Sequence, residues 1–245
     1  MNISTSFVYF IKRKIVPGYR VKKSDFVIDI GSGDKPFWRA NVFLDNLSLD
    51  NLQRSTYTDR IKTVGNFVNG NITKTDFKNK AYDFSYCSHV LEHVERPDLA
   101  IKEIMRISKA GYIEIPNGLV DFINPFYTHL WFVFLYKNKL IFFRKSHKLH
   151  GVLSANSAQY IPLLKKTNNP FIRFYWKNKI NYEIIDTNIR RFTPPSIEQV
   201  MNKKTRSDSA ISILSKKWYI FFIRILRKIH GIDAHSSATI TIKNS

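Results

Sequence analysis

The chain has 245 residues, 44% of them hydrophobic, which is enough for one sizeable core with additions. Its 39 Lys and Arg against 19 Asp and Glu give a net charge of +20. That balance suits an anionic partner (nucleic acid, an acidic membrane surface or a phosphate-rich substrate) or reflects an AT-rich genome that raises Lys, Asn and Ile together. The single cysteine, Cys87, excludes an internal disulfide framework and suits a cytoplasmic setting.

Residues 1–23 form an N-terminal amphipathic segment. Within it, residues 4–15 read as a short helix carrying Phe7, Tyr9 and Phe10 and stopping at Pro17-Gly18. The segment lacks the ordered regions of a secretory signal. No later stretch nears the roughly 18 apolar residues of a spanning helix. Residues 26–30 are the first core strand, with Val27, Ile28 and Ile30 suited to burial on both faces. A second strand, Val42-Phe43-Leu44, ends in Asp45, only 14 positions beyond Gly31, so the first crossover has room for no more than a vestigial helix. Residues 46–60 read as loop or short helix. Residues 63–68 are a weak third strand ending at Asn69-Gly70-Asn71, and 82–87 are a fourth. Residues 90–94 make a helical turn. Pro97 then opens a helix with Asp98 in its first turn and Ile101, Ile104 and Met105 on one face, stopping near Ala110-Gly111. Residues 112–115 are the fifth strand, closed by Pro116-Asn117-Gly118.

This alternation over 24–118 predicts a Rossmann-like, doubly wound, mostly parallel α/β sheet with helices on both faces. A C-terminal hairpin and helix extension follows. Residues 131–136 and 140–144 pair as a hairpin, 155–166 look helical, and 171–176 with 182–185 read as a second hairpin. Ser196 and Gln199 resemble a capping box. Thus 119–210 complete the domain as an acceptor and lid region, 211–232 form a basic aromatic helix, and 233–245 are a loose tail.

The chemistry gathers at strand ends. Gly31-Ser32-Gly33 suits a tight turn that brings backbone N–H groups close to a ligand, and in an open α/β sheet ligands bind at the carboxyl ends of the strands. Pro36 stands where a dinucleotide fingerprint wants a third glycine, which disfavours a dehydrogenase. Asp29, inside the first strand end, instead suits an amino-bearing or cationic ligand. Asp45 is placed to accept hydrogen bonds from two ribose hydroxyls, and Asn71 can offer its amide to an adenine edge. Ser88 and His89 face the same crevice.

The stretch Val27-Ile28-Asp29-Ile30-Gly31-Ser32-Gly33, the run from Tyr82 to Leu91-Glu92-His93, and the helix and strand up to Ile115-Pro116-Asn117 resemble a class I S-adenosylmethionine-dependent methyltransferase. The resemblance covers about residues 24–118. It is similar to the type whose fourth strand leads into a Leu-Glu-His turn. It implies that S-adenosylmethionine is the cofactor. It also implies that Asp29, Gly31 and Gly33 surround the methionine part, Asp45 meets the ribose and Asn71 the adenine, whose exocyclic amine its side-chain carbonyl can contact; Ser32 and Ser88 complete the predicted cofactor-binding residues. Asn71 replaces an acid common in the family, which removes charge assistance.

His89, Glu92 and His93 share one helical face. As His-x-x-Glu-His the run matches an inverted zincin, but it follows a nucleotide-type strand. Some related RNA 2′-O- and quinone O-methyltransferases hold a divalent metal on Glu-x-x-Glu-His. That gives His89, Glu92, His93 and, from the following loop, His129 as metal candidates. The preferred expectation has no metal: Glu92 and His93 orient the turn, while His89 and His129 are catalytic, His89 as a neutral general base. Thr128 to Trp131 cover the site. Lys145, His147, Lys148 and His150 form a basic loop suited to a phosphate or to solvent. In the last helix Arg224, Arg227 and Lys228 share a face opposite Phe221, Phe222 and Ile225, which fits either an anionic membrane surface or a charged outer face on a packed helix.

The expected reaction is methyl transfer to a hydroxyl or amine of a small molecule, sugar or lipid-linked glycan, in the cytoplasm and peripheral to the inner membrane surface. Nucleic-acid methylation lacks a base-pocket motif here. A non-catalytic, membrane-bound scaffold is the remaining alternative.

Overall fold

The computed structural model describes residues 11–33, 35–46, 60–62, 65–123, 126, 128–146, 170–186, 210–232 and 239–241. The predicted aromatics Phe7, Tyr9 and Phe10, the helix over 155–166 and the Ser196/Gln199 box lie outside them.

A six-stranded sheet forms the centre: β1 (Val27–Ile30), β2 (Val42–Asp45), β4 (Asn66–Asn69), β5 (Tyr82–Ser88), β6 (Ser108–Pro116) and β9 (Phe171–Lys177), in the order β4-β2-β1-β5-β6-β9. All neighbours run parallel except β9, which is antiparallel to β6. The chain goes outward one way through β2 and β4 and the other way through β5 and β6. Strand order therefore reverses between β1 and β5, where a crevice opens at the carboxyl edge. This is the doubly wound, mostly parallel sheet that the alternation of elements predicts.

Period-two alternation splits the sheet's side chains between two cores. Ile28, Ile30, Leu44, Cys87, Ile113 and Ile115 face α2 (Pro97–Ile107), which buries Ile101, Ile104 and Ile107 against them. Val27, Phe43, Phe84, Tyr86 and Tyr112 face the opposite way, toward Phe37, Trp38 and the long helix α4 (Ala210–Ile229) through Ile220 and Ile223. The short first crossover leaves that second face without a helix of its own, and α4 covers it. Tyr219 Oη donates to Pro36 O at 2.8 Å, and Arg227 donates from Nη1 to the carbonyls of Trp38 and Ala40.

That docking corrects the helix reading. Arg227 is 2% exposed and does not share a solvent face with Arg224 and Lys228, because the crossover carbonyls need a donor that can reach them. Phe221 and Ile229, at 55% and 71% exposed, lie outward with Arg224 and Lys228. Arg227→Ala should therefore cost about 3 kcal/mol through lost charge-assisted bonds and packing. Thermal unfolding should show a Tm lower by roughly 6–12 °C; an unchanged Tm would mean that α4 is not held this way.

Several boundaries differ from expectation. The N-terminal helix does not stop at Pro17-Gly18. A π-helical turn, Ile11–Ile15, runs into α1 (Val16–Tyr19), because proline is tolerated in a first helical turn. Helix α2 ends at Ile107 and β6 starts at once, at Ser108. Gly111 is a strand residue whose added Cβ would lie 2.5 Å from Ser85 O, so it serves close strand packing and not a helix stop. The third core strand begins at Asn66, and β3 (Arg60–Lys62) pairs instead with β11 (Thr239–Thr241), giving order to part of the predicted loose tail.

The hairpin of β7 (Trp131–Tyr136) and β8 (Lys139–Arg144) forms as expected, with Lys137 and Asn138 both at positive φ. The second hairpin does not form. β9 completes the main sheet against β6, and β10 (Tyr182–Ile185) adds in parallel to β8. The short helix α3 (Gly118–Ile123) bridges β6 to the small sheet. No helix among the described residues is long and apolar enough to cross a membrane.

Candidate active site

The crevice at the carboxyl edge is a cleft of about 810 Å³, lined at one part by Asp29, Gly31, Ser32, Gly33, Asp45, Asn71 and Ser88 and at another by His89, His93, Asp121, Phe126, His129 and Phe171. All predicted cofactor-binding positions therefore line one cavity, together with both predicted catalytic histidines.

Gly31 has φ +68°, and an added Cβ would lie 2.2 Å from Val90 Cγ2, so the turn fits only with glycine there. Gly33 N–H donates to Asp45 Oδ2 at 2.6 Å, tying the ends of β1 and β2 together. Asn71 Oδ1 accepts from both Thr73 N and Thr73 Oγ1 at 2.9 Å, an Asx turn. The carbonyl expected to meet an adenine amine is thus already engaged locally. Glu103 buttresses this loop: Thr75 N–H donates to it at 2.8 Å, and the adjacent Arg106 guanidinium with that bond holds its carboxyl near 2.

Beneath the turn lies an unforeseen pair. Asp29 is 1% exposed and accepts from Phe37 N at 2.6 Å. Lys14, from the π-helical turn, is 4% exposed, donates to Lys35 O at 2.7 Å and sits 4.6 Å over the Tyr86 ring. Burial raises the Asp29 carboxyl to about 6 and lowers the Lys14 ammonium to about 7, each held back by attraction to the other. The neighbouring Arg13 donates from Nε to Ser88 Oγ at 2.9 Å and lies 3.4 Å from Glu114 Oε1.

Glu114 is the second residue that sequence reasoning missed. Fully buried, it accepts from Tyr112 Oη at 2.8 Å and pairs with Arg173 Nε at 3.0 Å and His89 Nε2 at 3.4 Å. The sequence does carry a signal for it, a lone acid within the apolar run Tyr112-Ile113-Glu114-Ile115.

His89, at φ +58°, occupies a strained backbone position where β5 turns into the cleft. Its Nδ1 lies 3.3 Å from Glu92 Oε1, so both ring nitrogens face carboxylates. That arrangement orients the ring. His129 likewise has a carboxylate near each ring nitrogen, the nearer one on a different element. Its Nδ1 lies 3.1 Å from Asp121 Oδ2, and its Nε2 lies 4.0 Å from Glu92 Oε1. The cover over Thr128 to Trp131 is knitted to the turn below it: Leu130 N–H donates to Glu92 O at 2.8 Å, and His93 Nδ1 meets Thr128 O at 3.1 Å.

Lys145 does not belong to an exposed phosphate loop. Its side chain is buried and pairs with Asp121 Oδ2 at 2.6 Å, since a cation in the core requires an anion beside it. His147, Lys148 and His150 lie outside the described residues.

A family profile described as "Methyltransferase domain" matches residues 29–113. No curated protein matches the chain. Among solved structures, a protein of Pyrococcus horikoshii OT3 is 15% identical with a TM-score of 0.43, over 73% of this chain and 92% of that one. S-Adenosylmethionine-dependent methyltransferases of Thermotoga maritima and Methanosarcina mazei are 13% and 18% identical with TM-scores of 0.33 and 0.32, over 47% and 43% of this chain. The match spans 59% of the length of each of these two. The matched segment begins at the acid of β1 and ends within β6, so it contains the glycine turn, Asp45 and the His89 to His93 turn. Residues 29–113 are therefore similar to a methyltransferase domain.

Proposed function

We propose that the chain transfers a methyl group from S-adenosylmethionine to a hydroxyl or amine of a small molecule, sugar or lipid-linked glycan. The observation that carries this is the single cleft in which the Gly31–Gly33 turn and Asp45 adjoin a histidine-rich, partly apolar wall. The residues fit the cofactor: a turn that excludes a Cβ at Gly31, a ribose-side carboxylate tied to that turn, and a buried acid for an ammonium group. When bound, the cofactor supplies an electrophilic methyl group on a good leaving group, so the protein's part is alignment and proton removal. Asp121 holds His129 so that Nδ1 carries the proton and Nε2 serves as the base toward the acceptor. Phe126 and Phe171 flank the acceptor side, with His89 fixed edge-on against Phe171.

Titration with S-adenosylhomocysteine tests the reading. Wild type should bind, and Asp45→Ala should bind at least about tenfold more weakly through loss of hydrogen bonds to a charged acceptor. No binding by wild type, or undiminished binding by the variant, would refute it. Incubation with labelled cofactor and extracted sugar and lipid pools, followed by mass spectrometry, identifies the acceptor.

One observation favours a metal-assisted version. Ligand atoms of Glu92, His93 and His129 lie within 4.8 Å of one another. Burial lowers His93 to about 4, whereas the His89 hydrogen bond and nearby imidazoles hold Glu92 near 2 against its burial. A neutral imidazole and an ionised carboxylate are the forms a divalent cation requires. An ion there would polarise the acceptor oxygen, with Asp121 orienting its His129 ligand. A methyl-transfer rate unmoved by chelation and by added Mg²⁺, Mn²⁺ or Zn²⁺ would dismiss this version.

A further inference from the structure

The inner and outer halves of the β7–β8 hairpin differ. Trp131, Phe132 and Val133 are buried, whereas Phe134, Leu135 and Tyr136 are 38%, 45% and 59% exposed. Successive strand residues point to opposite faces, so the tip presents apolar side chains on both faces of the small sheet. β7 is the last strand in the order β10-β8-β7, and its outer edge is unpaired among the described residues. Three consecutive exposed apolar residues on an edge strand are a liability in water unless something covers them.

Cations surround this tip. Lys137 holds its ammonium 5.3 Å from the centre of the Tyr136 ring. Lys137, Lys139 and Lys179 line one groove of about 510 Å³ with Tyr136 and Tyr182. Glu183 pairs with Lys139 at 2.6 Å, while Lys137 and Lys179 have no carboxylate partner among the described residues. The tip is also continuous with the acceptor end of the cleft. A Cβ on Gly118 would lie 2.6 Å from Phe134 Cζ, so α3 packs directly on the hairpin. Leu119 of α3 is exposed, its neighbours Val120 and Asp121 line the cleft, and Phe126 is both exposed and part of that lining.

We infer that this tip seats the protein on an anionic phospholipid bilayer, with Leu135 and Tyr136 entering the interfacial layer and the lysines meeting headgroup phosphates. Apolar side chains on two faces, with tyrosine and lysine beside them, suit a boundary that is apolar on one side and wet on the other. A partner strand would cover the edge of β7 and leave the lysine groove unmatched. The net charge of +20 adds long-range attraction to an anionic surface. The contact is peripheral, since no helix among the described residues is long and apolar enough to cross. For its purpose this rests on the proposed methyl transfer, and it selects the lipid-linked acceptor, because the mouth of the cleft adjoins the seated tip.

Vesicle flotation tests the docking without any reaction. The full chain is mixed with vesicles of phosphatidylcholine alone or of equal parts phosphatidylcholine and phosphatidylglycerol. Wild type should float with the mixed vesicles and bind the neutral ones at least about tenfold more weakly. Leu135→Ser with Tyr136→Ser should weaken binding to the mixed vesicles by about 10- to 100-fold. Lys137→Gln with Lys179→Gln should weaken it by about 10- to 30-fold. Ile225→Ser with Ile229→Ser, on the outward face of α4, should float as wild type does. S-Adenosylhomocysteine affinity should be equal in all four proteins, which reports that each is folded. Wild type that stays off the mixed vesicles overturns the inference, as does a Leu135/Tyr136 variant that floats undiminished. So does loss of flotation in the α4 variant alone, since α4 would then be the docking face. If the Leu135/Tyr136 variant also loses S-adenosylhomocysteine, the lysine pair decides, and undiminished flotation of that pair overturns the inference. A wild-type dimer in solution that ignores vesicles and that the Leu135/Tyr136 variant dissociates would assign β7 to a second copy instead. Flotation as expected in a protein that never binds S-adenosylhomocysteine would refute the proposed transfer and leave the docking standing.

Discussion

Substituting His129 by alanine is expected to slow methyl transfer by about 10²- to 10⁴-fold, the range for loss of a positioned general base. Binding of S-adenosylhomocysteine should stay within about threefold of wild type, since His129 faces Asp121, Glu92, His93 and Phe126 and, among the described residues, no residue of the glycine turn. Added imidazole should recover part of the rate, because it can occupy the vacated space beside Asp121 and act as the base. A metal-dependent site behaves differently. There His129→Ala would lose cation affinity as well, and recovery would need both imidazole and added ion. Asp121→Asn is a weaker probe of the same pair, because it also strips the buried Lys145 of its counter-ion and so costs stability. If His129→Ala turned over at the wild-type rate, neither role would survive, and His93 would be the next residue to test.

The legible parts of this fold were those fixed by short-range rules. The run Val27-Ile28-Asp29-Ile30 followed by two glycines has one reading, a buried strand into a tight turn, and the structure has it. The Lys137-Asn138 hairpin is equally local. What escaped was set by partners distant in sequence. Phe171–Lys177 has a good hairpin mate in Tyr182–Ile185, yet it completes the main sheet because β6 offers a long open edge, seven residues in register. Arg227 reads as one of three cations on a helix face, and only the uncapped carbonyls of Trp38 and Ala40 decide that it turns inward. The site divides likewise. Asp29, Gly31 and Gly33 belong to one contiguous run and Asp45 ends the next strand, and all four line the cleft. Lys14 and Glu114 were not legible, since each matters for charges brought to it by other elements; the lone acid in the apolar run of β6 is a signal that Glu114 is unusual, but not of what it meets.

Glu114 should show the largest effect on stability of any polar residue in the site. It accepts from Tyr112 and faces Arg13, Arg173 and His89, so Glu114→Gln would leave two guanidinium groups crowding a neutral side chain in the sheet's interior. Removing one member of a buried charge cluster costs about 3–5 kcal/mol. The pH dependence follows from the sign of its shift. Burial by itself would raise the Glu114 carboxyl, but His89, Arg13 and Tyr112 hold it down at about 2, from an ordinary 4.5. A carboxyl depressed on folding contributes its full stability above the unfolded value, and that contribution fades as pH falls from about 4.5 toward 2. The gap between wild type and Glu114→Gln should therefore be widest near neutral pH and close progressively below about pH 4.5, as wild type takes up the proton that the variant never needs. Denaturant unfolding at a series of pH values measures it. The same substitution should weaken S-adenosylhomocysteine binding, because Arg13 and Lys14 are adjacent in one helical turn that Glu114 helps hold against Ser88. A variant as stable as wild type at neutral pH, or a gap that does not change with acid, would show that the cations around Glu114 are satisfied without it.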